Sequence, residues 1–191
     1  MAGTSESYRF PRGDTPHQWK LGTWAEATVP KLKDIASHYG HYITYGELAE
    51  HLFETTGVRT DQRLDFWIKD VLGMVLDYCD AMNYPALPAL VVQKKSGMVG
   101  PGFSAWLPKI GMSATQEPRV LEGVAAEERL KCYKRFGADV PPDAKAKPTR
   151  EYEALLDKED RAAGRGTPQP EAMCPTCFRV LPLSGQCDEC D

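Results

Sequence analysis

Tyr42-Ile43-Thr44-Tyr45-Gly46-Glu47-Leu48-Ala49 passes from a short β-prone run into the start of a helix. Thr44 stands three residues before Glu47, the spacing at which the two side chains satisfy each other's free backbone N–H groups, so a helix is predicted from Tyr45 to Thr56, stopped by Gly57. Downstream, Thr60 or Asp61 is placed to cap a longer helix in which Leu64, Trp67, Ile68, Val71, Leu72, Val75 and Leu76 mark one apolar face down to about Met82. Ala89-Leu90-Val91-Val92, wholly apolar and preceded by Pro85 and Pro88, predicts a strand running into a tight turn at Lys94-Lys95-Ser96-Gly97, with Met98, Val99 and Phe103 returning from it. Strand, helix, helix, strand, turn, strand is the order of a winged helix-turn-helix. The expected fold class is α+β: a mainly helical winged body with the Lys94-Lys95 turn as its wing, and a small C-terminal zinc ribbon.

Outward from this core, residues 1–16 carry Pro11, Gly13 and Pro16 and are expected to form a polar, flexible tail. Trp24, Ala27, Leu32, Ile35, Ala36 and Tyr39 recur at helical spacing up to Gly40, with a kink or restart expected at Pro30. A further helix over residues 118–136 has Val120, Leu121, Val124, Leu130, Tyr133 and Phe136 to pack, and Gly137 to end it. Residues 17–137 are thus expected to form the winged domain with flanking helices. Residues 138–172, rich in proline, glycine and charge, are expected to form a linker containing one charged helix over 150–163.

Residues 173–191 hold Cys174-Pro-Thr-Cys177 and Cys187-Asp-Glu-Cys190. Two such paired thiolates at ribbon spacing predict a tetrahedral site for structural Zn2+, with Cys174, Cys177, Cys187 and Cys190 as ligands. A segment this short cannot bury enough apolar surface to fold alone, so the ion would supply the folding energy. Four cysteines leave no open position, which makes the metal scaffold rather than catalyst. Asp188, Glu189 and Asp191 crowd one knuckle while Arg179 is the ribbon's basic residue, so a protein partner or pure scaffolding suits the ribbon better than nucleic acid.

The chain has 191 residues, of which 42% are hydrophobic and 26% charged, a composition that excludes a disordered chain. No apolar run approaches the ~18–20 residues of a membrane span, and the start lacks the pattern of a secretory signal, so a cytoplasmic protein is expected. Cys79 and Cys132 sit in helical patterns as small buried hydrophobes would. The net charge of -4 argues against bulk coating of nucleic acid and requires any such contact to use a local patch. Lys94 and Lys95 have no acidic neighbour from Ala86 to Ser113, and Lys109 is expected to extend their patch. At the third helix, Arg63 and Gln62 are candidates to meet base edges, Lys69 a phosphate, and Thr60 completes the set; Asp61, Asp65 and Asp70 interleave with them and would repel phosphates, so a solvated face is the even alternative. His17, His38, His41 and His51 all precede the cysteines by far, which argues against a nuclease built on histidines beside cysteine knuckles.

The blocks Ile43-Thr44-Tyr45-Gly46-Glu47-Leu48-Ala49, Val71-Leu72-Gly73-Met74-Val75, Pro88-Ala89-Leu90-Val91-Val92 and Ser96-Gly97-Met98-Val99-Gly100 occur in an order and spacing that resembles the DNA-binding domain of the alkylguanine-DNA alkyltransferases and their catalytically inactive alkyltransferase-like relatives. The blocks cover about a third of the chain. The resemblance implies a helix-turn-helix over the first two blocks, a backbone contact from Tyr45, and an alkyl-accepting cysteine and its histidine at positions that here hold Ala89 and Leu90. Without a thiolate beside a base, alkyl transfer is not available.

The resulting expectation is a non-enzymatic protein that binds double-stranded DNA as a regulator or accessory factor, using the winged helix and a zinc ribbon. The alternative is an interaction adaptor or inhibitor that docks on a nucleic-acid machine without touching DNA. Net charge favours the alternative, and the order of the blocks favours DNA.

Overall fold

The computed structural model describes residues 8–163. The chain divides into a unit Met1–Glu153 and a unit Ala154–Asp191, of which residues 154–163 are described. The architecture is mainly helical with a minimal sheet, an α+β arrangement. Among the described residues no helix is long and apolar enough to cross a membrane.

Helix α1 (Pro16–Ala36) starts on a capping box in which Thr15 accepts from the Gln18 N–H and Gln18 returns the bond, and Pro16 occupies the first turn. It runs through Pro30 without the expected restart. Pro30 faces solvent, and so does Glu26, the residue whose carbonyl loses its helical partner, so the break in the ladder lies on the helix's outer side. The segment before α1, expected to be a tail, packs on the core at two rings: Tyr8 and Phe10 stack edge-on at 5.0 Å, and Tyr8 meets the Tyr78 ring at 5.1 Å. Two aromatic rings gained against the core outweigh the turn-forming composition around them.

Strand β1 (Ile43–Thr44) leads straight into α2 (Tyr45–Thr56), opened by the Thr44–Glu47 capping box and closed by Gly57 in the left-handed conformation, as the sequence indicates. The α2–α3 connection is fastened from α1, because the buried Trp24 indole donates to the Val58 carbonyl at 3.3 Å. Helix α3 (Leu64–Ala81) begins later than expected, with no side-chain cap. The Thr60 hydroxyl instead accepts the Gln62 N–H at 3.2 Å in a local turn, so neither Thr60 nor Asp61 caps a helix. Trp24 and Trp67 (4.4 Å between rings), with Phe53 beside them, form the centre around which α1, α2 and α3 close.

The predicted strand from Ala89 is only partly one. Leu87–Leu90 form a 3-10 helix, and β2 is Val91–Val92, which pairs in parallel with β1, Ile43 against Val91 and Thr44 against Val92. The expected return strand is absent among the described residues. Gln93 N–H bonds the Met98 carbonyl and Gly97 N–H the Gln93 carbonyl, both at 2.8 Å, closing the turn. Pro101 then starts a 3-10 helix to Ile110 that takes Phe103 out of any strand. Where a wing hairpin was expected, residues 93–98 form a tight turn.

Helix α4 (Pro118–Arg135) ends as expected before Gly137, but its buried face differs from the expected one. Val120 is 40% exposed, whereas Glu122, Glu128 and Arg129 are buried. Helix α5 (Arg150–Ala162) matches the charged stretch anticipated there. Before it, Ala138 and Val140 pack on the core and Thr149 is buried, as is Tyr152 in its first turn, so the first unit continues past Gly137 to Glu153.

Candidate functional site

Leu64, Ile68, Leu72 and Leu76 recur every four residues, so they form one stripe along α3. That stripe is one wall of an open, largely apolar cleft of about 490 Å3. Pro88 and the Gly100-Pro101-Gly102-Phe103 segment face it, and Tyr45, Asp65, Lys69 and Gln93 supply its polar groups. Gly73 lies in the wall, and a Cβ there would meet nothing within 4 Å, so the glycine keeps the space open.

Tyr45 is held by its hydroxyl oxygen, which accepts the Gly100 N–H at 2.7 Å. A Cβ at position 100 would lie 2.5 Å from that oxygen, which makes glycine a requirement of the contact. Since the oxygen accepts, the phenol's own O–H proton remains to donate. Burial raises the Tyr45 pKa, opposed by the Gly100 N–H, so at neutral pH the group is a neutral donor at the edge of an apolar cleft.

The residues anticipated as contacts fall into separate groups. Lys69 lines the cleft, and Lys94 and Lys95 are exposed on the turn that starts at Gln93, itself a cleft residue. Lys69 thus belongs to the cleft and Lys94 and Lys95 to the turn that follows it, and among the described residues none of the three forms an ion pair. Thr60 and Gln62 lie apart, with Lys20, Arg59 and Asp61, in a shallow polar depression. The Arg63 guanidinium forks onto Asp65 at 3.2 and 2.9 Å and lies over the Phe66 ring. This exposed pair is worth at most ~1 kcal/mol and yields readily to a stronger anion. Lys109 does not extend the basic patch as expected: Asp77 and Asp80 hold it at 3.1 and 3.0 Å, and those hydrogen bonds raise its pKa.

The turn itself is seated. Gly97 has φ +66 and its carbonyl accepts the Thr149 hydroxyl at 2.8 Å, while Tyr42 donates to Glu151 at 2.6 Å beside it. Glu47, on the α2 side, has its pKa lowered by the Thr44 backbone and side-chain hydrogen bonds, with Lys94 a smaller contributor.

Beneath the cleft lies a charged brace that the sequence did not indicate. Arg129 bonds Glu122 and donates to the Ala89 carbonyl at 3.1 Å; Glu122 also accepts the Val99 N–H at 3.3 Å. Glu128 accepts the Ala86 N–H at 2.8 Å and pairs with Lys131. Three side chains of α4 thus fix the backbone from residue 86 to 99, the stretch carrying Pro88, Gln93 and the lysine turn. Ala89 and Leu90 are fully buried in that stretch. Periodicity cannot signal such a brace, because alternating charge on a helix has the pattern of a solvated surface.

Cys79 and Cys132 are buried, and burial pushes the Cys79 thiol up to about 12 and Cys132 well above its ordinary value, so both are unreactive. His38 and His41 are exposed, with rings stacked 5.3 Å apart. Cys174, Cys177, Cys187 and Cys190 lie outside the described residues. Comparison with protein-family models, curated proteins and solved structures finds no match to this chain.

Proposed function

We propose that this chain is a non-enzymatic DNA-binding protein that acts by occupying a duplex through the cleft side of α3 and the lysine turn. The observation that carries the proposal is convergence. Tyr45, Leu72, Gly73, Pro88 and Gly100, drawn from all four sequence blocks that resemble the alkyltransferase DNA-binding domain, line a single cleft. Lys69 lines that cleft, Lys94 and Lys95 stand exposed on the turn that starts at its residue Gln93, none of the three in an ion pair among the described residues, and Tyr45 offers a neutral O–H donor of the kind that contacts backbone phosphates. At the position where the family resemblance implies an alkyl-accepting thiol, the methyl of Ala89 is fully buried and its carbonyl is held by Arg129, which suits binding without group transfer. The helix-turn-helix reading rests on α2 and α3, and the turn at residues 93–97 stands in for the wing.

Fluorescence anisotropy with a labelled short duplex tests this. Lys94→Glu combined with Lys95→Glu is expected to weaken binding at least about tenfold and to lower the salt slope by about two, with unchanged thermal unfolding because both side chains are exposed. Undiminished binding by the double variant would remove the turn from the interface.

A second reading, docking on a protein partner, is favoured by one observation: Asp77 and Asp80 neutralise Lys109, and Asp65 engages Arg63, so much of α3 presents acid. Retention of the wild-type chain by a duplex at low salt separates the two.

The CxxC pairs at Cys174–Cys177 and Cys187–Cys190 support one structural zinc per chain, with protein contact or scaffolding as its use. Elemental analysis of protein purified without chelator is expected to give about one zinc per chain. A metal-free protein with four titratable thiols beyond Cys79 and Cys132 would contradict it.

A further inference from the structure

A second cavity of about 330 Å3, bordered by Arg129 of α4, brings together aromatic rings and cations that the DNA reading does not use. Tyr42, Tyr39 and Tyr133 supply the rings. Tyr133 donates its proton to the His41 carbonyl at 2.7 Å and is 5% exposed, so its ring is wall rather than open face, while the half-buried Tyr42 donates to Glu151 at 2.6 Å. Tyr39 stands edge-on to Tyr133 at 5.5 Å and is 38% exposed, a ring positioned to cover an incoming flat group.

The cations are Lys145, Lys147 and Arg150. All three are exposed, and among the described residues none forms an ion pair. Arg129 also reaches the cavity but is neutralised by Glu122. The facing carboxylates are Glu153 in the lining and Glu151, which is occupied by Tyr42. In a chain of net charge -4, three unpaired cations around a ring-lined cavity are a local reversal of sign.

We infer that this cavity binds a nucleoside monophosphate, with its base against the tyrosine rings and its phosphate on Lys145, Lys147 and Arg150. Size supports the class: the volume is at the low end of small-ligand sites, about 300–1,000 Å3, and suits one nucleotide rather than a strand. The chemistry divides the same way, since stacking on a ring accepts any base and paired lysines with an arginine fix a dianionic phosphate.

Isothermal titration calorimetry on the full chain tests the inference, with AMP, adenosine and inorganic phosphate as separate probes. AMP is expected to bind, and each half-ligand to bind at least about tenfold more weakly. Lys145→Glu with Lys147→Glu is expected to weaken AMP at least about tenfold, and Tyr39→Ala to weaken AMP and adenosine together while leaving phosphate unchanged. Absence of heat with millimolar AMP, or equal affinity of the double variant, overturns the inference. So does loss of duplex binding by the Lys145/Lys147 variant in a protein that ignores AMP, which would assign these lysines to a nucleic-acid backbone. Because the DNA interface is tested at Lys94 and Lys95, the two readings fail independently.

Discussion

Replacing Arg129 by methionine is expected to lower the unfolding free energy by about 3–5 kcal/mol, since removing one partner leaves the other charge buried and unpaired. Arg129 and Glu122 are 3% and 0% exposed, so the charge is orphaned among buried groups. The variant also strips the Ala89 carbonyl of its donor. Urea unfolding followed by tryptophan fluorescence reads the change directly, because Trp24 and Trp67 sit in the core. A companion variant separates charge from packing. Glu122→Gln added to Arg129→Met keeps an acceptor for the Val99 N–H but removes the buried charge, and is expected to recover a substantial part of the loss. A loss below ~1 kcal/mol for Arg129→Met would mean that the α4 brace does not hold the segment beneath the cleft.

The second large effect is expected at the lysine turn. Gly97→Ala places a Cβ 2.1 Å from the Thr149 hydroxyl and 2.8 Å from Glu151 Cβ, at a φ of +66 that L side chains rarely adopt. Backbone strain and overpacking together predict a destabilisation of about 2–4 kcal/mol, or an undocked turn. Thr149→Ala in the same chain removes the nearest clash but not the strain, so partial rescue is expected, with a coupling read from the double-mutant cycle. Duplex binding should fall with Gly97→Ala even where the fold persists, because the lysines lose their seat. Strict additivity of the two substitutions would contradict the docked turn.

What the sequence made legible is chemistry that operates over a few residues. The Thr44–Glu47 box and Gly57 delimit α2 to the residue, the Leu64-to-Leu76 stripe marks the face of α3, and the burial of Cys79 and Cys132 follows from their place in helical patterns. What it left hidden depends on distant partners. Val91 pairs with Ile43 in parallel, and no local signal tells a strand that its neighbour lies beyond two intervening α-helices and a 3-10 turn. Glu122, Glu128 and Arg129 appear solvated until the backbone groups of residues 86, 89 and 99 are brought beneath them. Lys109 counts as a free cation in one dimension and as half of an acid cluster in three. Tyr8 and Phe10 were lost in a proline- and glycine-rich tail because the ring they meet, Tyr78, is most of a helix bundle away in sequence. The cleft itself was legible only in pieces: Tyr45, Gly73 and Gly100 stand in the four blocks, but their convergence needed the fold.

The claim on which the functional account stands is that unpaired cations around the α3 cleft hold a duplex. The salt dependence of wild-type binding to a short duplex tests it most directly, since each phosphate contact contributes a slope of about -0.9 in log affinity against log salt. With Lys69, Lys94 and Lys95 engaged, a slope of about -3 is predicted, falling to about -1 when both turn lysines become glutamates. No measurable binding at about 50 mM salt, or an affinity indifferent to salt, would contradict it.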